Sequence, residues 1–137
     1  MASFAATVGQ WAEKVEGALE AVFKEAAQEL VSQLSQLAPV DTGFLRASLM
    51  ASTTAMPRLN RANPGMAMPA DLGGIMLVIN SADLGDTIYL GYTANYASFV
   101  HFGAQGRAPR PWVTMVAQRW EMIVAEKATE VRRRLGL

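Results

Sequence analysis

Apolar residues recur every three or four positions along the first quarter of the chain. They form one stripe of a helix, and most charged side chains between them lie off it. Its members are Phe4, Val8, Trp11, Val15, Ala18, Val22, Ala26, Leu30, Leu34 and Leu37. This spacing predicts a helix over residues 4–37, whose regular part begins at a capping box formed by Thr7 and Gln10. Pro39 ends the helix because proline disfavours helical geometry in the residue before it.

This first helix is longer than a small domain needs. About thirty helical residues span roughly 45 Å, whereas a small domain is about 30 Å across. Two alternatives remain open at this point. Part of the helix extends beyond its own core or packs on another subunit, or the helix bends at Gly17.

The segment after the first helix shows weaker patterns. Asp41 is placed to cap a short turn over residues 42–45, and Arg46 is close enough in sequence to pair with it. Alternating side chains over residues 47–56 predict a strand. Residues 57–74 are rich in Pro, Gly, Asn and Met and have no period, which is typical of a long loop that is either functional or merely mobile.

The second half of the chain reads as a hairpin followed by helices. Residues 75–80 and 87–92 are short apolar runs, and the turn residues between them predict an antiparallel hairpin. Residues 95–102 predict a short helix. A final long helix begins at Pro111, where proline is well tolerated.

These elements predict an α+β fold. Their order is a long N-terminal helix, a strand, a loop, a hairpin, a short helix and a long C-terminal helix. Such an order is typical of helices packed on one face of a small antiparallel sheet, here of about three or four strands. A chain of 137 residues has the usual size of one domain, so we assign residues 1–137 to a single domain.

Composition excludes several classes of function. The chain has no cysteine, which excludes disulfides, thiolate metal sites and a cysteine nucleophile. Twelve basic and twelve acidic residues cancel, so there is no electrostatic support for binding duplex DNA or an acidic membrane surface. No apolar run reaches the length of about 18 residues that spans a bilayer. The first residues also lack the pattern of a secretory signal, so we expect neither a membrane span nor signal-dependent export.

The triplet Asp41-Thr42-Gly43 is also the active-site triplet of aspartic proteases. That chemistry needs two triplets whose carboxylates share a proton and activate water. The chain contains one, and Phe44 follows it where that family has a small residue. A capped turn after a helix is therefore the interpretation that we favour.

The other reactive side chains form no catalytic set. His101 is the single histidine, and the chain has no Gly-x-Ser-x-Gly elbow to accompany it. No carboxylate lies close to His101 in sequence for a metal site. Gly103 and Gly106 lack the Lys-Ser/Thr that follows the glycines of a phosphate loop. We therefore expect no cofactor and no metal.

Two basic clusters are candidates for binding. Arg107 and Arg110 lie among prolines on a predicted surface loop, where they suit an acidic protein partner or nucleic acid. The neutral net charge favours a protein. Residues 132–134 are three arginines in the last turn of the final helix, where the helix dipole favours cations. Nucleic-acid binding by so small a cluster is the weaker alternative.

Two separated segments resemble one known family. Residues 38–48 read Ala-Pro-Val-Asp-Thr-Gly-Phe-Leu-Arg-Ala-Ser. Residues 96–103 read Tyr-Ala-Ser-Phe-Val-His-Phe-Gly, and Ala-Pro-Arg-Pro-Trp-Val follows at residues 108–113. Together they resemble the neck or tail-completion proteins of long-tailed bacteriophages, of the head–tail joining type found in lambdoid coliphages. The residues that match the family pattern are Pro39, Asp41, Thr42, Gly43, Leu45, Arg46, Ser48, Tyr96, Ala97, Val100, Gly103, Pro109, Pro111 and Trp112.

Two positions depart from this family pattern. His101 stands where the family usually has an acidic residue, which removes the carboxylate on which an ion pair there would depend. Trp112 stands where the family usually has phenylalanine, so one aromatic anchor replaces another. The loop over residues 57–74 is not part of the pattern.

The resemblance implies a structural virion protein without enzymatic activity. Such proteins lie in the phage neck or tail, and in the host cytoplasm during assembly. The implied partners are further copies of the chain in a ring, as a hexamer or dodecamer, and neighbouring connector, head-closure, tail-terminator or tail-tube proteins. No specific nucleic acid is implied, although such a ring leaves a path for DNA. A tail-terminator or head-closure protein is the alternative within this class.

We expect the first helix and the loop over residues 57–74 to contact other subunits. Methionine suits such surfaces because its flexible side chain packs against many shapes. The candidate interface residues are Trp11, Arg58, Arg61, Met66, Met68, Arg107 and Arg110.

Overall fold

The computed structural model describes residues 3–40, 43–66 and 71–137. Its fold is α+β, as the sequence predicts, with a long N-terminal helix, a small antiparallel sheet and further helices. In chain order the elements are α1 (Phe4–Leu37), α2 (Phe44–Ala47), β1 (Leu49–Ser52), α3 (Gly73–Ser81), β2 (Tyr89–Tyr92), α4 (Ala97–Phe102), α5 (Trp112–Ala117) and α6 (Trp120–Leu135).

Helix α1 is one unbroken element of 34 residues, about 50 Å long at 1.5 Å per residue. Ser3 caps it, because the Ser3 Oγ accepts the backbone N–H of Ala6 at 3.1 Å. The capping box predicted at Thr7 and Gln10 is therefore wrong, since the helix begins a turn earlier. The helix also continues through Gly17 without interruption.

The first half of α1 extends beyond the core, as one of the two alternatives for this helix predicted. Its residues are exposed up to Gly17, apart from a half-buried Val15, and Ala18 is the first buried residue. Phe4 and Trp11 are 86% and 61% exposed. We refer to residues 4–17 as the overhang, which is about 20 Å long. No helix among the described residues is both long and apolar enough to span a bilayer.

The sheet is smaller than expected and pairs different segments. Strands β1 and β2 are antiparallel, with Leu49 opposite Tyr92 and Ser52 opposite Tyr89. The described residues contain this one sheet of two strands, where the sequence predicts three or four. Of the predicted strand over residues 47–56, only the central part forms β1. Of the predicted strand over residues 87–92, only the final part forms β2.

The predicted hairpin is wrong because residues 75–80 belong to helix α3. Ile75 and Ile79 are buried, whereas Leu77 between them is 72% exposed. That four-residue repeat of burial is helical. A short apolar run does not distinguish a strand from a packed helix by periodicity alone, and packing against α1 and β1 decides here.

The last predicted helix is also divided, into α5 and α6. At the break, the N–H of Arg119 donates to the carbonyl of Val116 at 2.9 Å, and the guanidinium of Arg119 donates to Gln33 at 3.1 Å. The break lets α6 run along α1, where Arg134 pairs with Glu25 at 2.6 Å. The hydrogen bond from Arg134 lowers the pKa of Glu25.

The core lies where the second half of α1 meets the other helices and the sheet. Helix α1 packs against α6, α5 and α3, and α3 packs against β1. The largest fully buried side chains are Phe44, Ile79, Ile123, Val31, Val116 and Val131. This arrangement leaves the overhang at one end of the molecule and the two motif segments at the other.

Candidate functional site

The first motif segment turns the chain from α1 into the sheet. Gly43 precedes α2 with a φ of 87°, a left-handed conformation that favours glycine. Leu45 is buried, and the hydroxyl of the fully buried Ser48 donates to the Leu45 carbonyl at 2.7 Å. These contacts explain why small and apolar residues occupy those motif positions.

The proposed cap at Asp41 stays a prediction. Asp41 and Thr42 lie outside the described residues. The Nε of Arg46 is buried and has no hydrogen-bond partner among the residues that the structure describes. The pairing of Arg46 with Asp41 is therefore untested.

The second motif segment packs directly on the first. Just before the second motif segment, Thr93 donates its N–H and its hydroxyl to the carbonyl of Ser48, at 2.9 and 2.8 Å. The rings of Phe44 and Tyr96 lie 6.2 Å apart, and Ala97 is buried in the same core. Segments that are far apart in sequence therefore form one structural unit.

Trp112 joins this unit to the sheet and to α1. Its ring meets that of Tyr92 edge to face at 5.1 Å, and the Tyr92 hydroxyl donates to the Leu34 carbonyl at 3.2 Å. His101 packs against the same indole at 5.6 Å, and its Nε2 lies 3.0 Å from the Thr114 hydroxyl. Trp112 is 3% exposed, so this aromatic position is an anchor of the core.

The phenol of Tyr92 gives this cluster a pH dependence. Burial raises the pKa of Tyr92 from 10.0 to about 12, although Trp112 and Arg46 act in the opposite direction. The phenol thus ionises more easily in the unfolded chain, and stability present below pH 10.0 is lost as the pH rises towards about 12.

Tyr92→Phe should remove that pH dependence. At neutral pH the variant should lose about 1 kcal/mol with the hydrogen bond to Leu34. Between about pH 10 and 12, wild type should lose roughly 2 kcal/mol more than the variant. Urea unfolding across this range measures both quantities, and parallel curves for the two proteins would contradict the prediction.

Gly103 ends α4 at a point where two backbone segments meet closely. Its φ is 83°, and a Cβ there would lie 2.9 Å from the carbonyl oxygen of Arg107 and 3.0 Å from the nitrogen of Pro109. Real Cβ atoms are essentially never as close to another atom as this hypothetical Cβ would be to the Arg107 oxygen. Glycine is therefore required by both conformation and space.

Gly103→Ala should destabilise the fold by about 1–3 kcal/mol through backbone strain alone, with the close contact adding to this. Gly106→Ala is the matched control, because Gly106 has a φ of 77° but nothing within 4 Å of its Cβ position. We expect the free energy of unfolding to fall further for Gly103→Ala. Equal losses would mean that the close contact contributes nothing.

The two motif segments together line a groove of about 610 Å³, which we call the motif groove. Its apolar walls include Pro39, Leu45, Tyr96, Phe99 and Val100, and its rim carries the arginines at positions 107 and 110. Both arginines are exposed, and neither forms an ion pair with another described residue.

Phe99 is a site residue that the sequence did not indicate. The predicted short helix places it on one side with Tyr96 and Val100, and the structure leaves it 63% exposed. Phe102, one turn further on, is 74% exposed. No signal in the sequence distinguishes these phenylalanines from core residues, because exposure depends on what the rest of the chain covers.

The predicted interface residues do not form one surface. Trp11 lies on the overhang, whereas Arg107 and Arg110 border the motif groove. Met66 is 62% exposed on the loop, and Arg58 is exposed as well. Met68 lies outside the described residues.

Arg61 has a different position from the other interface candidates. Its guanidinium lies over the ring of Phe44, 5.2 Å from the ring centre, and its backbone bonds to Thr93 and Asn95. The loop over residues 57–74 is thus attached, near its beginning, to the first motif segment and to the residues just before the second.

Among the described residues, no three carboxylate or imidazole side chains are grouped as a metal site would require. The groove is instead an apolar surface with a basic rim, which suits binding another protein.

The sequence profile that matches the chain is HK97-gp10_like, described as "Bacteriophage HK97-gp10, putative tail-component", and the match covers residues 2–103. The chain belongs to this family of phage tail components. No curated protein and no solved structure shows significant similarity to the chain. The match to the HK97-gp10-like family contains the first motif segment and the second as far as Gly103. Pro109, Pro111 and Trp112, with helices α5 and α6, lie beyond it.

Membership agrees with the resemblance seen in the sequence and identifies a tail protein in general terms. It implies a place in the virion, in the tail.

Proposed function

We propose that this chain is a structural protein of the neck end of the tail, where it completes the tail and joins it to the head connector. In this role it acts as a subunit of a homo-oligomeric ring, a hexamer or dodecamer. Connector, head-closure, tail-terminator or tail-tube proteins are its neighbours. Its place is in the virion, after assembly in the host cytoplasm.

The observation that carries this proposal is the overhang of α1. The apolar side chains of Phe4, Val8 and Trp11 are exposed on a helix that continues about 20 Å beyond the chain's own core. Large exposed apolar surfaces usually mark protein–protein contacts. A tail component that presents such a helix is suited to an assembly in which other subunits cover it.

Deleting the gene from the phage genome that encodes the chain tests this position. We expect filled heads and finished tails that remain separate in electron micrographs, with joined particles restored by a plasmid copy. Tails of uncontrolled length would instead support a tail terminator. Heads that lose their DNA would support a head-closure protein.

A non-enzymatic role is part of the proposal, and Asp41→Asn tests it against a protease. A capped turn should keep nearly all of its stability, because asparagine caps about as well as aspartate, and the particles should still join. An aspartic protease would lose all turnover with the same change. Cleavage of virion proteins by wild type but not by the variant would overturn the structural role.

A further inference from the structure

The overhang carries an apolar stripe that its own chain leaves uncovered. Further along the same face of α1, Ala18 and Ala26 are buried, and α6 is the main element packed on this helix. Before Ala18 the stripe is exposed apart from the half-buried Val15, and Trp11 stands near its centre with 61% of its surface exposed. A tryptophan in this position has the properties of an interface anchor.

The motif groove is the second uncovered apolar surface. Its volume of about 610 Å³ is large enough for an aromatic side chain and its neighbours on a helix. Phe99 on its wall is 63% exposed, and Val40 is 56% exposed. An amphipathic helix laid into an apolar groove is a common mode of recognition.

A rigid helix separates these two surfaces. The groove begins at Pro39, just past the end of α1, whereas Trp11 lies 26 residues before Leu37, about 40 Å away along the helix. The overhang therefore cannot reach the groove of its own chain. Contact between the two surfaces requires two copies.

The net charges of the two surfaces are opposite, because the overhang has two glutamates against one lysine and the groove rim has two arginines. Glu16 lies at about 100° from the centre of the stripe, is exposed, and makes no ion pair with a described residue. The groove has Arg107 and Arg110 at its rim and no carboxylate among its described lining residues. Lys14 borders the opposite edge of the stripe. A carboxylate such as that of Glu16 can accept two hydrogen bonds from one arginine, and such charged hydrogen bonds are stronger than those between neutral groups.

We propose that the overhang of one copy binds the motif groove of the next, with Trp11 inserted between the apolar walls and Glu16 paired with the rim arginines. This inference rests on the ring of the proposed function and adds the surfaces that form it. Because the two surfaces differ, the contact is head-to-tail, and repeated rotation closes it into a ring. The motif segments then have a second role besides folding, as the receptor for a neighbouring subunit.

Cross-linking between single-cysteine variants tests the contact directly, because the chain has no cysteine of its own. Val8→Cys places a thiol on the stripe and Ala108→Cys places one at the groove. With a short bismaleimide, a mixture of the two variants should give cross-linked dimers, and neither variant alone should do so. Dimers from Val8→Cys alone would show overhangs pairing with each other and overturn the proposal, as would a mixture that gives no product.

Complementation of two assembly-deficient variants provides the second test. Trp11→Asp destroys the stripe and Phe99→Asp destroys the groove, so each should bind its neighbour at least about thirty-fold more weakly and stay a single copy. Mixed together they retain one intact pair of surfaces and should form dimers but no rings by native mass spectrometry. Leu77→Asp is the matched control, since Leu77 is 72% exposed on α3 outside the groove, and its rings should persist.

The outcomes separate this inference from the function on which it rests. Rings that persist in Phe99→Asp would overturn the groove as receptor while leaving the ring intact. The ring and this contact would both be overturned if wild-type protein remained a single copy at every concentration in solution and was also present as a single copy in joined particles.

Discussion

Trp112→Ala should destabilise the fold by about 3–5 kcal/mol, the usual cost of truncating a buried aromatic side chain to alanine. The indole is 3% exposed and packs on Tyr92 and His101, so its loss leaves a cavity between the sheet and α5. Because small domains are stable by only about 5–15 kcal/mol, the variant should unfold at much lower urea concentration. Urea unfolding followed by far-ultraviolet circular dichroism measures the change.

Two controls show whether packing causes this loss. Trp112→Phe keeps an aromatic ring at this position, and it should lose clearly less than the alanine variant. Phe102→Ala removes a ring that is 74% exposed and should change stability by no more than about 0.5 kcal/mol. A Trp112→Ala protein as stable as the Phe102→Ala protein would refute the anchoring role of Trp112.

The double variant Val8→Asp, Trp11→Asp should abolish assembly while leaving the fold of each subunit intact. Both side chains are exposed, at 46% and 61%, and lie beyond the core, so little native packing is lost. Two charges on the stripe oppose its burial against any partner, because an unpaired buried charge is costly. Native mass spectrometry should show single copies of the variant and, as proposed above, rings of wild type, and circular dichroism should show an unchanged helical content.

The control places the same charges on the other side of the overhang. Ala6→Asp with Gln10→Asp changes the net charge equally, but helical geometry puts both positions away from the stripe. We expect this protein to assemble like wild type. If both double variants lose the ring, charge on the overhang rather than its apolar face would be responsible. If neither does, the overhang is not an interface.

The relation between sequence and structure differs from one element to the next. The stripe from Phe4 to Leu37 predicts α1 well, because a long 3.6-residue period has no other regular explanation. Residues 75–80 predict a strand and form a helix, because six apolar residues satisfy either conformation and only packing against α1 and β1 decides. The strand that pairs with β2 is therefore β1, which is distant in sequence.

The candidate site shows the same division. Its two motif segments are recognisable in the sequence, because Gly43 and Gly103 meet backbone requirements that few other residues satisfy. Their meeting through Phe44 and Tyr96 is not visible there, since a ring contact between residues so far apart in sequence leaves no local pattern. The exposure of Phe99 was likewise unpredictable.

The sequence by itself determined the α+β class, the long first helix, the excess of that helix over a small core, and the membership of a phage tail family. These follow from local periodicity, from helix rise and from short motifs, which are properties of neighbouring residues. Only the tertiary structure decided the strand pairing, the division of the last helix, the groove between the motif segments, and its separation from the overhang. Those features depend on which surfaces the folded chain buries against itself, and burial is a property of the whole molecule rather than of any one segment.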